Sequence, residues 1–148
     1  VMVNGGVVSG WLRTVWVVHL ASATRIYLPV REKLVELQPR LAETADVIMD
    51  GRDIGTCVLP GAQCKVYLTA SPQVRAKRRY EELKEKGIAC NLEEIEQDII
   101  ERDYRDTHRE HSPLKQAEDA ELVDSSDMTP EQVVEAIISA ARKRGLKA

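Results

Sequence analysis

Twice in this chain a short apolar run passes directly, or after two residues, into a hydroxyl residue, a proline and a long helix-patterned stretch that ends on glycine. The first copy is "CKVYLTA" (64–70) followed by "SPQVRAKRRYEELKEKG" (71–87). The second is "AELVDSS" (120–126), then Asp127-Met128, then "TPEQVVEAIISAARKRG" (129–145). The order has a physical logic. A Ser or Thr side chain can accept a hydrogen bond from one of the unpaired N–H groups at a helix start. A proline in the first turn lacks an N–H that would have no helical partner there. A glycine after the last turn can take the left-handed conformation that ends a helix. A strand that feeds a helix cannot pair with its successor through a hairpin. Two such units therefore predict an α/β fold, a mainly parallel sheet flanked by helices.

The rest of the chain fits the same scheme. "NLEEIEQDIIERDYRDTHR" (91–109) opens on Asn91, with Glu94 three residues on as in a capping box. "PVREKLVELQPRLAET" (29–44) has Val30, Leu34, Leu37 and Leu41 at helical spacing. Pro39 within it predicts a kink or a stop. "DVIM" with Asp50 reads as a buried strand over 46–50. "VMV" (1–3) alternates into the turn signal "NGG", and the apolar residues 15–23 read as helical.

Composition excludes several classes of function. The 148 residues suffice for one domain with a core, and 43% hydrophobic with 30% charged residues is an ordinary globular balance. A net charge of -3 gives no electrostatic footprint for nucleic acid or an anionic membrane. With 4% aromatics and no Phe, base-stacking platforms are not expected. Cys57, Cys64 and Cys90 form neither a paired disulfide framework nor a zinc spacing, and as free thiols they fit a cytoplasmic protein. "VWVVHLA" (15–21) is too short to span a bilayer and lacks the flanks of a signal peptide.

Three charged groups stand out. In "MDGRDIGT" (49–56), Asp50, Arg52 and Asp53 stand at the carboxyl end of the predicted strand, where open parallel sheets bind ligands. Asp50 there can hold magnesium through water, and Arg52 can pair with a phosphate. An Asp/Gly turn with a surface ion pair would look the same. In "ERDYRDTHR" (101–109), Arg102, Arg105 and Arg109 are spaced to share one helix face, with Asp103 and Asp106 on a neighbouring one. This is either a solvated ion-pair network or an arginine cluster around a polyphosphate. The third group, Arg75, Arg78 and Arg79, lies on one turn just past a strand and can border the same site. His108 and His111 find no further residues to complete a metal set and read as surface histidines.

Taken together, "DGRDIGT", "KVYLTASPQVRAKRRYEELKEKG", "IERDYRDTHREHSPL" and "AELVDSSDMTPEQVVEAI" closely resemble the bacterial cytidylate kinases in order and spacing. "PVREKLVELQ" (29–38) and "VNGGVVSGWLRT" (3–14) resemble family segments too. The resemblance implies a P-loop nucleoside monophosphate kinase that moves the γ-phosphate of ATP to CMP or dCMP, with UMP a poorer acceptor. It implies nucleotide contacts from Ser22, Arg31, Asp53, Asp106 and Arg109. Arg52 and Arg102 would act at the phosphates, and Asp50 near Mg²⁺. Helix 74–79 and the loop after it would form a mobile lid, with Arg78 on the ATP phosphates. On this reading 1–28 belongs to an acceptor-binding insertion and 29–70 to the core with the DGRD loop. Residues 71–109 form the lid and its flanking helices, and 110–148 the last strand and helix, all within one partial kinase domain.

Not every family feature is present. No glycine begins a G-x-x-x-x-G-K-[ST] loop, the backbone cradle for donor phosphates that the family carries on its first strand. Val7, Val15 and Trp16 also depart from the family pattern. The chain thus reads as the carboxyl-terminal two-thirds of such a kinase, inactive by itself. The alternative is a non-catalytic nucleotide-binding remnant. Loss of a central strand would expose a sheet edge and apolar faces, so weak stability or self-association through that edge is expected.

Overall fold

The computed structural model describes residues 2–3, 6–7, 14, 16–17, 20 and 27–147. The chain divides into two compact units, Val1–Ile48 and Met49–Ala148.

In the first unit, β1 (Met2–Val3) and β2 (Gly6–Val7) form a small antiparallel pair, Met2 with Val7 and Val3 with Gly6, and the predicted turn at Asn4-Gly5 lies outside the described residues. Trp16, Val17 and Leu20 are helical, as the apolar pattern of 15–23 predicts, and Ser22 lies outside the described residues. Helix α1 spans Leu28–Thr44 and runs on through Pro39. The predicted stop is therefore corrected. Proline removes one donor from the ladder, and a helix this long keeps enough other bonds to absorb the loss. Glu36 ties one face of it together, accepting from Lys33 at 2.8 Å and Arg40 at 2.7 Å. Val30, Leu34, Leu37 and Leu41 are all exposed along the apolar stripe.

The strand expected over 46–50 is absent, which is a second correction. This segment makes no ladder, and Ile48 is fully exposed. A strand exists only through a neighbour's hydrogen bonds, and among the described residues β3 and β4 pair only with each other.

In the second unit, β3 (Val66–Thr69) and β4 (Glu121–Asp124) pair in parallel, Val66 with Glu121 through Thr69 with Asp124. The crossover between them holds two helices, α2 (Pro72–Glu85) and α3 (Leu92–His108), packed on one another, and α4 (Pro130–Lys143) follows β4. The caps are those the residues predict. Ser71 accepts from Val74 N–H, Asn91 from Glu94 N–H, and Thr129 forms a reciprocal capping box with Gln132. Gly87 and Gly145 take left-handed backbone just past their helices, with φ 69° and 78°.

The buried apolar residues of this unit are small or branched: Val58, Ala70, Ala76, Val123 and Ala140. Leu68 and Leu122 are more than half exposed. They stand one register step apart on neighbouring strands, so they face opposite sides of the ribbon. Both faces of a parallel sheet are normally covered. Here each face leaves a leucine open.

Candidate functional site

The site grows from the loop at the start of the second unit. After Gly51 and Arg52, the backbone does not form a simple loop. It winds into one wide helical turn, Ile54–Val58. The carbonyl of Asp53 accepts from both Cys57 N–H at 2.9 Å and Val58 N–H at 3.2 Å, and that of Ile54 from Leu59 N–H at 2.7 Å. Such i→i+5 turns are rare and concentrate at functional sites. Nothing in "IGTCV" announces one, because its apolar and small residues suit a loop as well. The turn fixes the backbone of Asp53, which is 6% exposed, the most buried carboxylate among the described residues.

Helix α3 supplies the other half. Nε of Arg52 donates to Oδ2 of Asp106 at 2.8 Å, and Nε of Arg102 lies 3.9 Å from the same oxygen. One turn on, Nη2 of Arg109 lies 3.7 Å from Oδ1 of Asp53, and its Nε donates to the carbonyl of Ser112 at 2.6 Å. Five of the nine site residues named from the sequence, Arg52, Asp53, Arg102, Asp106 and Arg109, therefore meet in one place. Three guanidinium groups stand around two carboxylates, with the Arg52–Asp106 pair partly buried.

The helix-face expectation is corrected in detail. α3 ends at His108, so Arg109 is a cap residue in extended backbone. Asp103, Asp106 and Arg109 are the half-buried positions, while Arg102 and Arg105 are exposed. The arginines tolerate one another because carboxylates lie between them.

The basic turn of α2 does not converge on this group. Arg75 forms a fork with Asp103 at 3.0 and 2.5 Å and also donates to the carbonyl of Ala70. Arg78 donates from Nη1 to Ser125 Oγ at 3.2 Å, and from Nη2 to the carbonyls of Ser125 at 2.6 Å and Met128 at 3.3 Å. Arg79 pairs with Glu82, four residues before Lys86, which binds the same carboxylate. Those two cations, Lys86 first, hold the Glu82 carboxyl down at about 2. At the carboxyl ends of the strands, Ser126 Oγ accepts from Ser71 N–H at 3.0 Å and donates to Asp124 at 2.6 Å. Ser126 thereby lowers the Asp124 carboxyl below its ordinary range. Sequence reading did not single out Ser125 or Ser126, since two serines after a strand also suit an ordinary turn.

Asp50 is exposed at the loop's entrance. Arg31 lies in the first turn of α1, and its side chain is outside the described part. His108 stacks on Tyr104 with ring centroids 4.0 Å apart, and no group of three or more metal-ligand side chains occurs among the described residues. The three cysteines are free thiols. Two open hollows lie elsewhere, along α2 at Lys77–Tyr80–Lys84 and on the outer face of α3 at Ile100–Tyr104–Arg105, and neither is lined by any residue of the arginine–aspartate group.

The model of the cytidylate kinase family matches residues 1–143. The chain belongs to that family. A cytidylate kinase of Lactobacillus johnsonii is 49% identical over 144 residues, 97% of this chain and 63% of the relative. That of Lactobacillus gasseri is equally similar over the same share. A Streptococcus pneumoniae cytidylate kinase is 50% identical over 128 residues, 86% of this chain and 57% of its own length. The chain thus spans about three-fifths of the curated relatives it matches. The family has the fold of the P-loop nucleoside monophosphate kinases, and the parallel pair β3–β4 flanked by helices is the part of it seen in the second unit. No helix among the described residues is long and apolar enough to cross a membrane.

Proposed function

We propose that this chain serves a cytidylate kinase reaction, transfer of the γ-phosphate of ATP to CMP or dCMP, and that it supplies the acceptor-nucleotide site. The observation that carries the reading is the meeting of Arg52, Arg102 and Arg109 with Asp53 and Asp106. Phosphoryl transfer asks a protein for position and for permanent positive charge around the phosphates. Guanidinium groups provide both, with two parallel N–H donors for a phosphate edge. Arg52 and Arg102 serve the phosphates, the roles that the family resemblance implies. Asp53, Asp106 and Arg109, with Ser22 and Arg31, hold the cytidine nucleotide. A carboxylate acceptor beside a guanidinium donor suits the mixed donor–acceptor edge of cytosine.

Arg78 is assigned to the donor side. Its anchorage on the turn after β4 places it at the carboxyl ends of the strands, where nucleotides bind in such sheets. Asp50 is the residue for Mg²⁺. A lone exposed carboxylate suits an ion that keeps much of its water and takes its remaining ligands from substrate phosphates. Bound there, the ion would neutralise charge on those phosphates.

No G-x-x-x-x-G-K-[ST] occurs in these 148 residues, so the donor-phosphate cradle is not among the groups that they contribute. Catalysis then depends on such a loop supplied outside them. We also place the protein in the cytoplasm, in line with its free thiols, and infer that the open strand ribbon allows self-association.

The test is ADP formation from Mg-ATP with CMP, dCMP or UMP as acceptor. It is run on the chain alone and with a segment carrying the G-x-x-x-x-G-K-[ST] loop added. The expected result is CMP-dependent turnover only in the mixture, lost on Arg52→Ala. Turnover by the chain alone at an ordinary kinase rate of ~1–100 s⁻¹ would contradict the division of labour. Turnover in the mixture that ignores CMP would contradict the acceptor assignment.

A further inference from the structure

Ser112 stands in an unusual backbone state. Its φ is 49°, the left-handed region, and it is the one non-glycine residue with positive φ among the described residues. An L side chain there crowds its own backbone. Pro113, next in the chain, restricts Ser112 further. A residue persists in so sparsely populated a conformation only where its surroundings impose it, and such residues collect at ligand sites.

What this conformation accomplishes is visible in its hydrogen bonds. The carbonyl of Ser112 accepts from Nε of Arg109 at 2.6 Å. Two residues on, Leu114 N–H donates to the carbonyl of Asp106 at 2.8 Å. The segment 109–114 therefore folds back on the last turn of α3. It satisfies a helix-end carbonyl that would otherwise lack a donor. It also grips the two residues of that helix end, Asp106 and Arg109, that face the DGRD loop. With Nε held by a backbone oxygen, the plane of the Arg109 guanidinium is set and its Nη2 edge is turned toward Asp53.

We propose that Ser112 is a positioning residue of the acceptor site, acting through Arg109. Its left-handed backbone aims the carbonyl that orients this guanidinium. The ligand in this proposal rests on the CMP reading above, whereas the orientation of Arg109 does not.

The experiment follows the Arg109 Nε–H resonance by ¹⁵N-edited NMR in the full chain, assigned with R109K, beside a CMP titration. The wild type should show a single Arg109 Nε–H signal that exchanges slowly with solvent. Ser112→Gly adopts positive φ freely and should keep that signal, with CMP affinity within about twofold of wild type, less than half the tenfold that 1.4 kcal/mol produces. Ser112→Val, β-branched and ill-suited to this region, should lose the protection and bind CMP about tenfold more weakly. A rapidly exchanging Nε–H in the wild type overturns the proposal whether or not the valine variant folds. So does a folded valine variant that keeps both signal and affinity, or a glycine variant that loses the signal as fully as valine does. If the wild type does not bind CMP, the acceptor reading fails, and the Nε–H comparison still decides the role of Ser112.

Discussion

A Cβ added at position 51 would lie 2.8 Å from Cγ1 of Ile54, a distance that real side chains do not accept. Ile54 opens the wide turn that holds Asp53, so the clash would be felt where the buried carboxylate is fixed. Gly51→Ala should destabilise the second unit by ~1–3 kcal/mol, the usual cost of overpacking, and weaken CMP binding as well. Denaturant melts and a nucleotide titration check both. At the neighbouring position the expectation concerns chemistry. Arg52 commits Nε to Asp106 and keeps a planar group beyond it, which a lysine cannot reproduce. Arg52→Lys should therefore behave nearly as Arg52→Ala in CMP titrations. Retention of wild-type affinity by the lysine variant would show that charge alone suffices. The identities of Arg52, Asp53, Arg102, Asp106 and Arg109 were legible in the sequence because charged residues at a strand-to-loop junction and a helix end are conspicuous. Their pairing was not, since spacing along a helix says nothing of a loop some fifty residues earlier. The roles of Ser112 and Leu114 were hidden too, because they act through backbone groups that any residue carries.

At the scale of elements, local chemistry decided most of the outcome. Ser71, Asn91 and Thr129 cap their helices as their types predict, and Gly87 and Gly145 end two of them. Ser71→Ala should cost ~1 kcal/mol of stability through the lost bond to Val74 N–H, measured by thermal melt. What the sequence could not settle was the strand at 46–50, because pairing is a property of neighbours rather than of the segment. Pro39 likewise shows that one lost bond does not end a long helix.

The ion pairs of these elements set an acid limit. Glu82, held down to about 2 from an ordinary 4.5 by Lys86 and Arg79, favours the folded state whenever it is ionised. Asp119 is lowered chiefly by its hydrogen bond from Lys65, and Asp124 by Ser126. A carboxyl whose folded pKa is depressed contributes stability that is full above its unfolded pKa and lost as pH falls through the folded one. Melting temperature should therefore stay level down to about pH 4.5 and decline from there toward pH 2, the Glu82 window. Glu82→Gln should flatten part of that decline, a small effect for so exposed a group. An unchanged acid slope in this variant would remove Glu82 from the account.

Across the molecule, few large side chains are buried among the described residues. The second unit buries two valines and three alanines, and leaves Leu68 and Leu122 open on opposite faces of its strand ribbon. Among the described residues these two parallel strands pair only with each other, and open strand edges invite further pairing. Light scattering should show concentration-dependent association, reduced by Leu122→Lys. A monomer at all concentrations would contradict it. The α/β class was legible because two strand–cap–helix units dictate it. The thinness of the packing was not, since an apolar pattern states which side chains seek cover and not what covers them.

The proposed site for a cytidine nucleotide is built from the DGRD loop and the end of α3. Calorimetric titration of CMP into the full chain, wild type beside Arg52→Ala, is the decisive measurement. Saturable one-site binding by the wild type is expected. The variant should lose about tenfold to a hundredfold, the ordinary worth of a hydrogen bond from a charged group. Equal affinity in the two proteins, or no saturable binding of CMP by the wild type, would contradict the proposed site.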